Sequence, residues 1–277
     1  MGLLYIVWDV DPEIFSLGPL SVRWYGLLFA LSFVLGYLIM QKFFKKEDIP
    51  QKVLDELATF MIIATIIGAR LGHCLFYEPE KYLSNPIEIL KIWEGGLASH
   101  GAALGILIAL LWFSRKNKKP YIWILDRIVV VVALSGFFIR TGNLMNSEIF
   151  GYVTDLPWAF VFKRAYDPVL AVDPRHPTQL YEGLSYLAIF FFLYWYYFKK
   201  QGKPQPGFLF SMFLILVFTA RFLIEFLKEP QVGFEQGMAL NMGQLLSIPF
   251  VLVGLVILYF SLKRSGRGSK PAAGSDQ

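Results

Sequence analysis

Apolar residues gather along this chain into seven long stretches, at roughly 22–42, 57–77, 97–113, 121–140, 179–198, 207–228 and 242–262, with polar and charged positions collected between them. Crossing a hydrocarbon core of about 30 Å takes about 20 mostly apolar residues at about 1.5 Å of rise each. The pattern therefore predicts an all-α polytopic membrane protein with seven transmembrane helices. The third stretch is the shortest, and Arg70 and His73 interrupt the second. Composition agrees: 56% of the 277 residues are hydrophobic and 17% charged, against about 25% charged in a typical soluble domain. A mean hydropathy of +0.51 argues against a soluble, disordered or collagen-like chain.

Charge adds an orientation. Fifteen Lys and Arg fall in the connections around 42–52, 115–119, 199–203 and 263–270, and only six on the other side, in the opening arm, 78–96, 141–178 and 228–241. Basic residues resist translocation, so the N-terminus is expected outside and the C-terminus in the cytoplasm. The net charge of +5 thus follows from topology and calls for no nucleic-acid partner. The opening MGLLYIVWDVDPEIF carries Asp9, Asp11 and Glu13 and no basic start, and so does not read as a removable leader. Residues 1–262 are expected to form a single seven-helix catalytic domain, with 1–21 as an N-terminal arm. The stretch 141–177, too polar to cross and too aromatic for a linker, is expected as an extracytoplasmic head insert between helices four and five. Residues 263–277 are expected as a disordered cytoplasmic tail.

Candidate chemistry comes from ionisable groups at membrane depth, which are costly and mark sites or cavities. Arg23, Arg70, Arg140 and Arg221 fall at one end of their stretches, the outer third of the bilayer in this orientation. Arginine keeps its charge and grips phosphate oxygens in two-point contacts, so the set implies a hydrated, strongly positive outward cavity. Three of the four also have a specific structural reading: Arg23 and Arg70 as snorkelling side chains, Arg221 in an ion pair with Glu225 one turn on. His100, at a helix start among Gly95, Gly96, Gly101 and Gly105, is a candidate proton acceptor or a loop-satisfying group. His73 and His176 read as structural or positioning groups. The single cysteine, Cys74, allows no intramolecular disulfide and reads as apolar filler.

The blocks RWYG at 23–26, GGLASHG at 95–101, RTGNLMNSEIFG at 140–151, HPTQLYEG at 176–183, RFLIEFLKEP at 221–230 and NMGQLLSIP at 241–249 resemble, in order, the signature blocks of bacterial prolipoprotein diacylglyceryl transferases. Lys228 stands where that family usually has arginine. The resemblance implies a multi-pass enzyme of the bacterial cytoplasmic (inner) membrane whose active site faces the outer leaflet. It would transfer an sn-1,2-diacylglyceryl group from phosphatidylglycerol to the lipobox cysteine in a preprolipoprotein signal peptide, forming a thioether and releasing glycerol 1-phosphate. Its partners are then these two substrates and membrane lipid; no metal or other cofactor is called for. On this resemblance His100 is the candidate general base, or a positioning group, and Arg140 and Arg221 are the phosphate clamp. Tyr25, Asn143 and Glu148 would bond the glycerol head group or the arginines, Gly151 would permit the turn after them, and Glu225 would orient Arg221.

Two other classes use the same residues. An intramembrane serine protease would pair a hydroxyl such as Ser135 with His100. An anion transporter would use the arginines without chemistry.

Overall fold

Backbone amides have no water to bond in hydrocarbon, so a chain with long apolar runs satisfies them within helices. The computed structural model of the protein describes residues 5–18, 20–92, 95–229 and 238–267. Its main helices are α1 (Trp24–Lys46), α2 (Gln51–Phe76), α4 (Ser99–Lys116), α5 (Tyr121–Met145), α6 (Thr178–Lys199), α7 (Phe208–Ile224) and α8 (Met242–Arg267), with a short α3 (Pro79–Ser84) after α2. Each expected stretch thus carries a helix. Five are long and apolar enough to cross a membrane: α1, α2, α5, α7 with the turn that follows it, and α8. This makes the chain a multi-pass membrane protein. The helices α4 and α6 fall short of that measure among the described residues. The first has 18 residues and ends on Arg115 and Lys116, and the second carries Gln179, Glu182 and the run Tyr194 to Tyr197.

The chain divides into two compact units, residues 40–125 and residues 1–39 with 126–277. In the first of these, α2 and α4 cross on bare backbone. A Cβ on Gly72 would lie 2.6 Å from the Gly101 Cα, and one on Gly105 would lie 3.1 Å from the Gly68 Cα. Two glycine pairs four residues apart, 68 with 72 and 101 with 105, make both helix faces flat enough for this approach. Gly101 and Gly105, two of the glycines around His100, therefore serve helix packing. Arg70 is buried and spent: its Nε donates to the Ile89 carbonyl at 2.9 Å, Nη2 to Glu88 at 2.6 Å and Nη1 to Gly95 at 2.6 Å. It caps the short 3-10 turn Pro86–Leu90 and stacks over Tyr82, so the reading of Arg70 as part of a phosphate cavity is corrected to a structural one.

The second unit adds strands to the expected helices. In the opening arm, β1 (Ile6–Trp8) pairs in parallel with β4 (Phe160–Phe162), and β2 (Glu13–Leu17) forms an antiparallel hairpin with β3 (Leu20–Arg23). Trp8 donates to the Leu144 carbonyl at 2.9 Å, and Arg164 binds Asp9 at 2.9 Å and Asp11 at 2.8 Å. These contacts tie the arm to the stretch after α5, over a core of Leu144, Phe150, Phe160 and Phe162. Helix α5 continues through 141–145 before that stretch opens, and α8 runs past 262 to Arg267. Residues 1–4 and 19 of the arm and 268–277 of the expected tail lie outside the described residues.

Overpacking the glycine crossing should be felt at once. Gly101→Leu should lower stability by about 1–3 kcal/mol or more, whereas Gly26→Ala, where a Cβ meets nothing within 4 Å, should be neutral or slightly stabilising. Thermal unfolding in detergent, followed by tryptophan fluorescence, measures both.

Candidate active site

The charged residues of α5, α6 and the end of α7 meet in one cluster. Arg140, near the end of α5, turns its Nε onto Glu182 Oε2 and donates from Nη1 to Asn143 Oδ1 at 3.2 Å, one turn further on. Glu182, one turn into α6, is fully buried, and its Oε1 takes Lys228 Nζ at 2.9 Å. Lys228, itself 3% exposed, also binds Glu225 Oε2 at 3.0 Å. Two cations and two carboxylates thus alternate through a region without bulk water, where removing one partner is costly. Tyr186, one turn beyond Glu182, hydrogen-bonds Arg140 and senses the charges of both Arg140 and Arg221. Arg221 near the end of α7 thus lies within electrostatic range of the phenol that Arg140 bonds near the end of α5.

A second tier holds the loop after α5. Glu148 Oε1 accepts from Asn143 at 2.8 Å and from Asn146 at 3.1 Å. Ser147 and Ile149 adopt φ of 52° and 60°, a left-handed conformation costing about 1–3 kcal/mol for such residues. Helix α6 opposes that cost: Gln179 donates to the Glu148 carbonyl at 2.7 Å and Thr178 to the Ile149 carbonyl at 2.8 Å. Tyr25, at the start of α1, lies in the field of Glu148 and Arg140. Its ring packs where Gly142 leaves a gap, since a Cβ there would lie 2.7 Å from Tyr25 Cδ2.

Several sequence-based roles change. Glu225 does not orient Arg221 through its carboxylate: it pairs with Lys228 and packs on Gly243, where any Cβ would overlap it. Gly151 is needed for close approach and not for a turn; a Cβ there would meet the Leu227 carbonyl, His176 and Thr178, and Gly151 bridges Lys228 through the backbone. The strongly positive cavity is also corrected. Arg140, Arg221 and Lys228 face Glu148, Glu182 and Glu225, three charges of each sign. The carboxylates are engaged by Arg140, Lys228, Asn143 and Asn146, and among the described residues the half-buried Arg221 guanidinium has no hydrogen-bond partner. Arg23 is exposed at the end of β3.

His100 lies in the other unit, exposed in the first turn of α4, after the Gly95 and Gly96 turn whose φ values are 87° and 70°. The Ser135 hydroxyl donates to the Val131 carbonyl of its own helix at 3.1 Å, the ordinary structural use of a helical serine and no sign of a nucleophile. His176 holds Tyr152 and Gly151 through its backbone, and burial pushes its imidazole below the ordinary value, as suits a neutral positioning group. Glu182, Tyr186 and Lys228 were missed by residue-type reasoning. Helical spacing offered a signal: Lys228 follows Glu225 by three positions, and Tyr186 follows Glu182 by four.

The model of the family described as prolipoprotein diacylglyceryl transferase matches residues 12–260. The chain belongs to this family. Proteins named phosphatidylglycerol–prolipoprotein diacylglyceryl transferase are similar to it along nearly their whole length. The one from Tolumonas auensis is 49% identical over 95% of this chain and 100% of its own. The one from Chloroherpeton thalassium is 48% identical over 94% and 96%, and that of Bacteroides fragilis 43% over 95% and 97%. The cluster is thus the charged centre of a prolipoprotein diacylglyceryl transferase family member.

Glu182→Ala should strip buried Arg140 of its carboxylate, leave Lys228 with Glu225 alone and lower stability by about 3–5 kcal/mol. Adding Lys228→Met should recover part of that loss. Chemical or thermal unfolding of the two variants against the parent measures the difference.

Proposed function

We propose that this chain transfers the sn-1,2-diacylglyceryl group of phosphatidylglycerol to the lipobox cysteine of a preprolipoprotein, the first step of lipoprotein maturation. The observation that carries the reading is Arg221: a half-buried guanidinium without a hydrogen-bond partner among the described residues, within electrostatic range of the phenol that binds Arg140. It leaves a donor fork for an incoming phosphate, whereas the neighbouring carboxylates are already held by cations or amides.

In the reaction an S–C bond forms between the peptide sulfur and the glyceryl carbon, and the C–O bond to phosphate breaks. The thiol proton leaves to a base, and the departing glycerol 1-phosphate gains a negative charge. A thiol of pKa about 8.5 needs that base or a nearby cation to become nucleophilic. His100 is the candidate base, with positioning as its other role. Arg221 and Arg140 bind the phosphate and favour the more charged transition state over the substrate. Tyr25, Asn143 and Glu148 would bond the glycerol head group, and Gly151 and Glu225 would shape the wall behind them.

The topology that suits this chemistry has seven spans, an outer N-terminus, a cytoplasmic C-terminus and the 141–177 stretch as a head outside the bacterial inner membrane. The charge distribution of the connections supports it. The site would then open to the outer leaflet, where a signal peptide presents its lipobox.

Purified protein supplied with phosphatidylglycerol and a lipobox peptide should release glycerol phosphate and convert the thiol to a thioether. Arg140→Ala and Arg221→Ala should each reduce the rate at least about a hundredfold with helical content retained, on the order of one lost charge-stabilising contact. Release at the parent rate by both variants would overturn the clamp. His100→Asn separates the two histidine roles: a base predicts loss of the pH dependence in the neutral range, a positioning group a lowered rate with an unchanged profile.

A further inference from the structure

Far from the clamp, at the opposite end of α5, lies a buried carboxylate that the proposed reaction does not use. Asp126 is fully buried, and its two oxygens accept the backbone N–H groups of Gly207 at 2.7 Å and Phe210 at 2.9 Å. Those are the free donors at the start of α7, where a negative charge also meets the positive end of the helix dipole. The cap comes from another helix, since the chain places Gly207 at the local capping position with φ of 86° and no side chain. The next residue, Arg127, donates to the Gly202 carbonyl at 3.3 Å, just past the end of α6, and lies over Tyr197. Two consecutive residues of α5 thus hold both sides of the α6–α7 connection.

The spacing beyond this point is the same on both helices. Arg140 follows Asp126 by fourteen residues, and Arg221 follows Gly207 by fourteen. At 1.5 Å per residue each guanidinium-bearing Cα lies about 21 Å along its helix from the common anchor. Both helices run the same way, because their beginnings meet at Asp126 and their far ends meet at Glu182, which pairs with Arg140 near the end of α5 and with Lys228, itself paired with Glu225, just after α7. We propose that Asp126 is a positioning residue: it fixes the axial register of α7 against α5 and so brings Arg140 and Arg221 to one level. A slip of one residue would displace Arg221 by about 1.5 Å along the axis and turn it by about 100°. Misplacement on that scale is enough to cost roughly a hundredfold in rate.

This role rests on the transferase reading for its effect on rate, but the register itself is measurable without turnover. In a Cys74→Ala background, spin labels on Val132→Cys of α5 and Leu223→Cys of α7, both exposed positions, report the distance between the helices by pulsed electron resonance. Asp126→Ala should shift or broaden that distance distribution by about 1.5 Å or more. It should also lower kcat at least roughly tenfold, with KM for phosphatidylglycerol changed less than roughly threefold. Asp126→Asn, which keeps one accepting oxygen, should lie between Ala and the parent in both measures. Asp126→Glu should keep the charge, move the distance and lower kcat. If Ala fails to fold, the Asn and Glu distributions decide. Unchanged distances in the folded variants overturn the register role, even where stability or rate falls. A parent protein that releases no glycerol phosphate overturns the transferase reading and leaves the distance measurement to judge Asp126.

Discussion

The buried carboxylate of Glu182, shared between Arg140 and Lys228, is the contact on which the rest of the charged centre depends. A carboxylate with no exposed surface is stable as an anion only if cations or donors occupy its oxygens, and a buried cation has the mirror-image need. Arg140 and Lys228 come from elements far apart in sequence, the end of α5 and the turn after α7. Glu182 therefore ties three segments together electrostatically. Glu225 extends the chain of charges by one link, and Gly243 at the start of α8 leaves room for its carboxylate. No apolar substitution at 182 could do the same work, because it would leave two cations facing one another.

Around this contact, glycine is used for absence of bulk. Gly142 admits the Tyr25 ring, Gly151 admits the Leu227 carbonyl and Gly243 admits the Glu225 carboxylate. Gly183 has more room: a Cβ there would lie 3.4 Å from the Arg140 Cβ, an ordinary contact. The first three positions convert sequence into distance in a direct way, since each brings a functional group closer to a backbone than any other residue would allow. The strained Ser147 and Ile149 belong to the same economy of space. Their left-handed backbone folds Glu148 back towards Asn143 and Asn146, and the two bonds from Thr178 and Gln179 keep it there.

Much of this architecture is legible in the sequence because hydrocarbon imposes a simple rule on length and polarity. The seven apolar stretches mark the seven main helices, and α5 shows why ends are harder to read: Thr141 to Met145 remain helical although Arg140 had suggested a boundary. The strands of the arm were not legible, because three to five residues without a long alternation carry little signal. The arginines show the limit of reading charge by depth. Arg70 and Arg140 look alike along the chain, yet Arg70 faces a turn whose carbonyls need donors, whereas Arg140 faces a carboxylate and an amide. Depth alone cannot tell a carbonyl neighbourhood from an anion-binding one; that difference lies in which backbone groups the fold leaves unpaired. Lys228 was visible as an unusual residue in its block, but its burial between two glutamates is a tertiary fact.

Charge balance then bears on how the proposed site for an anionic lipid could sit in a cluster with as many carboxylates as cations. What a phosphate meets is the local set of free donors, since an engaged carboxylate has its field largely answered by the cation in contact with it. Glu182 and Glu225 are so answered by Arg140 and Lys228, and Glu148 is held by two amides. Among the described residues Arg221 is left with its fork available and only partly buried. In the proposed reaction a substrate phosphate would meet that fork, and the extra charge developed as the C–O bond breaks would strengthen the contact during the reaction rather than before it. An arginine whose whole fork was held by a glutamate would have to break that pair first; Arg140 gives Glu182 its Nε and Asn143 its Nη1. The proposed clamp of one engaged and one free arginine would therefore divide the labour: Arg140 is held in place by Glu182 and Asn143 as it approaches the phosphate, and Arg221 would supply most of the response to new charge.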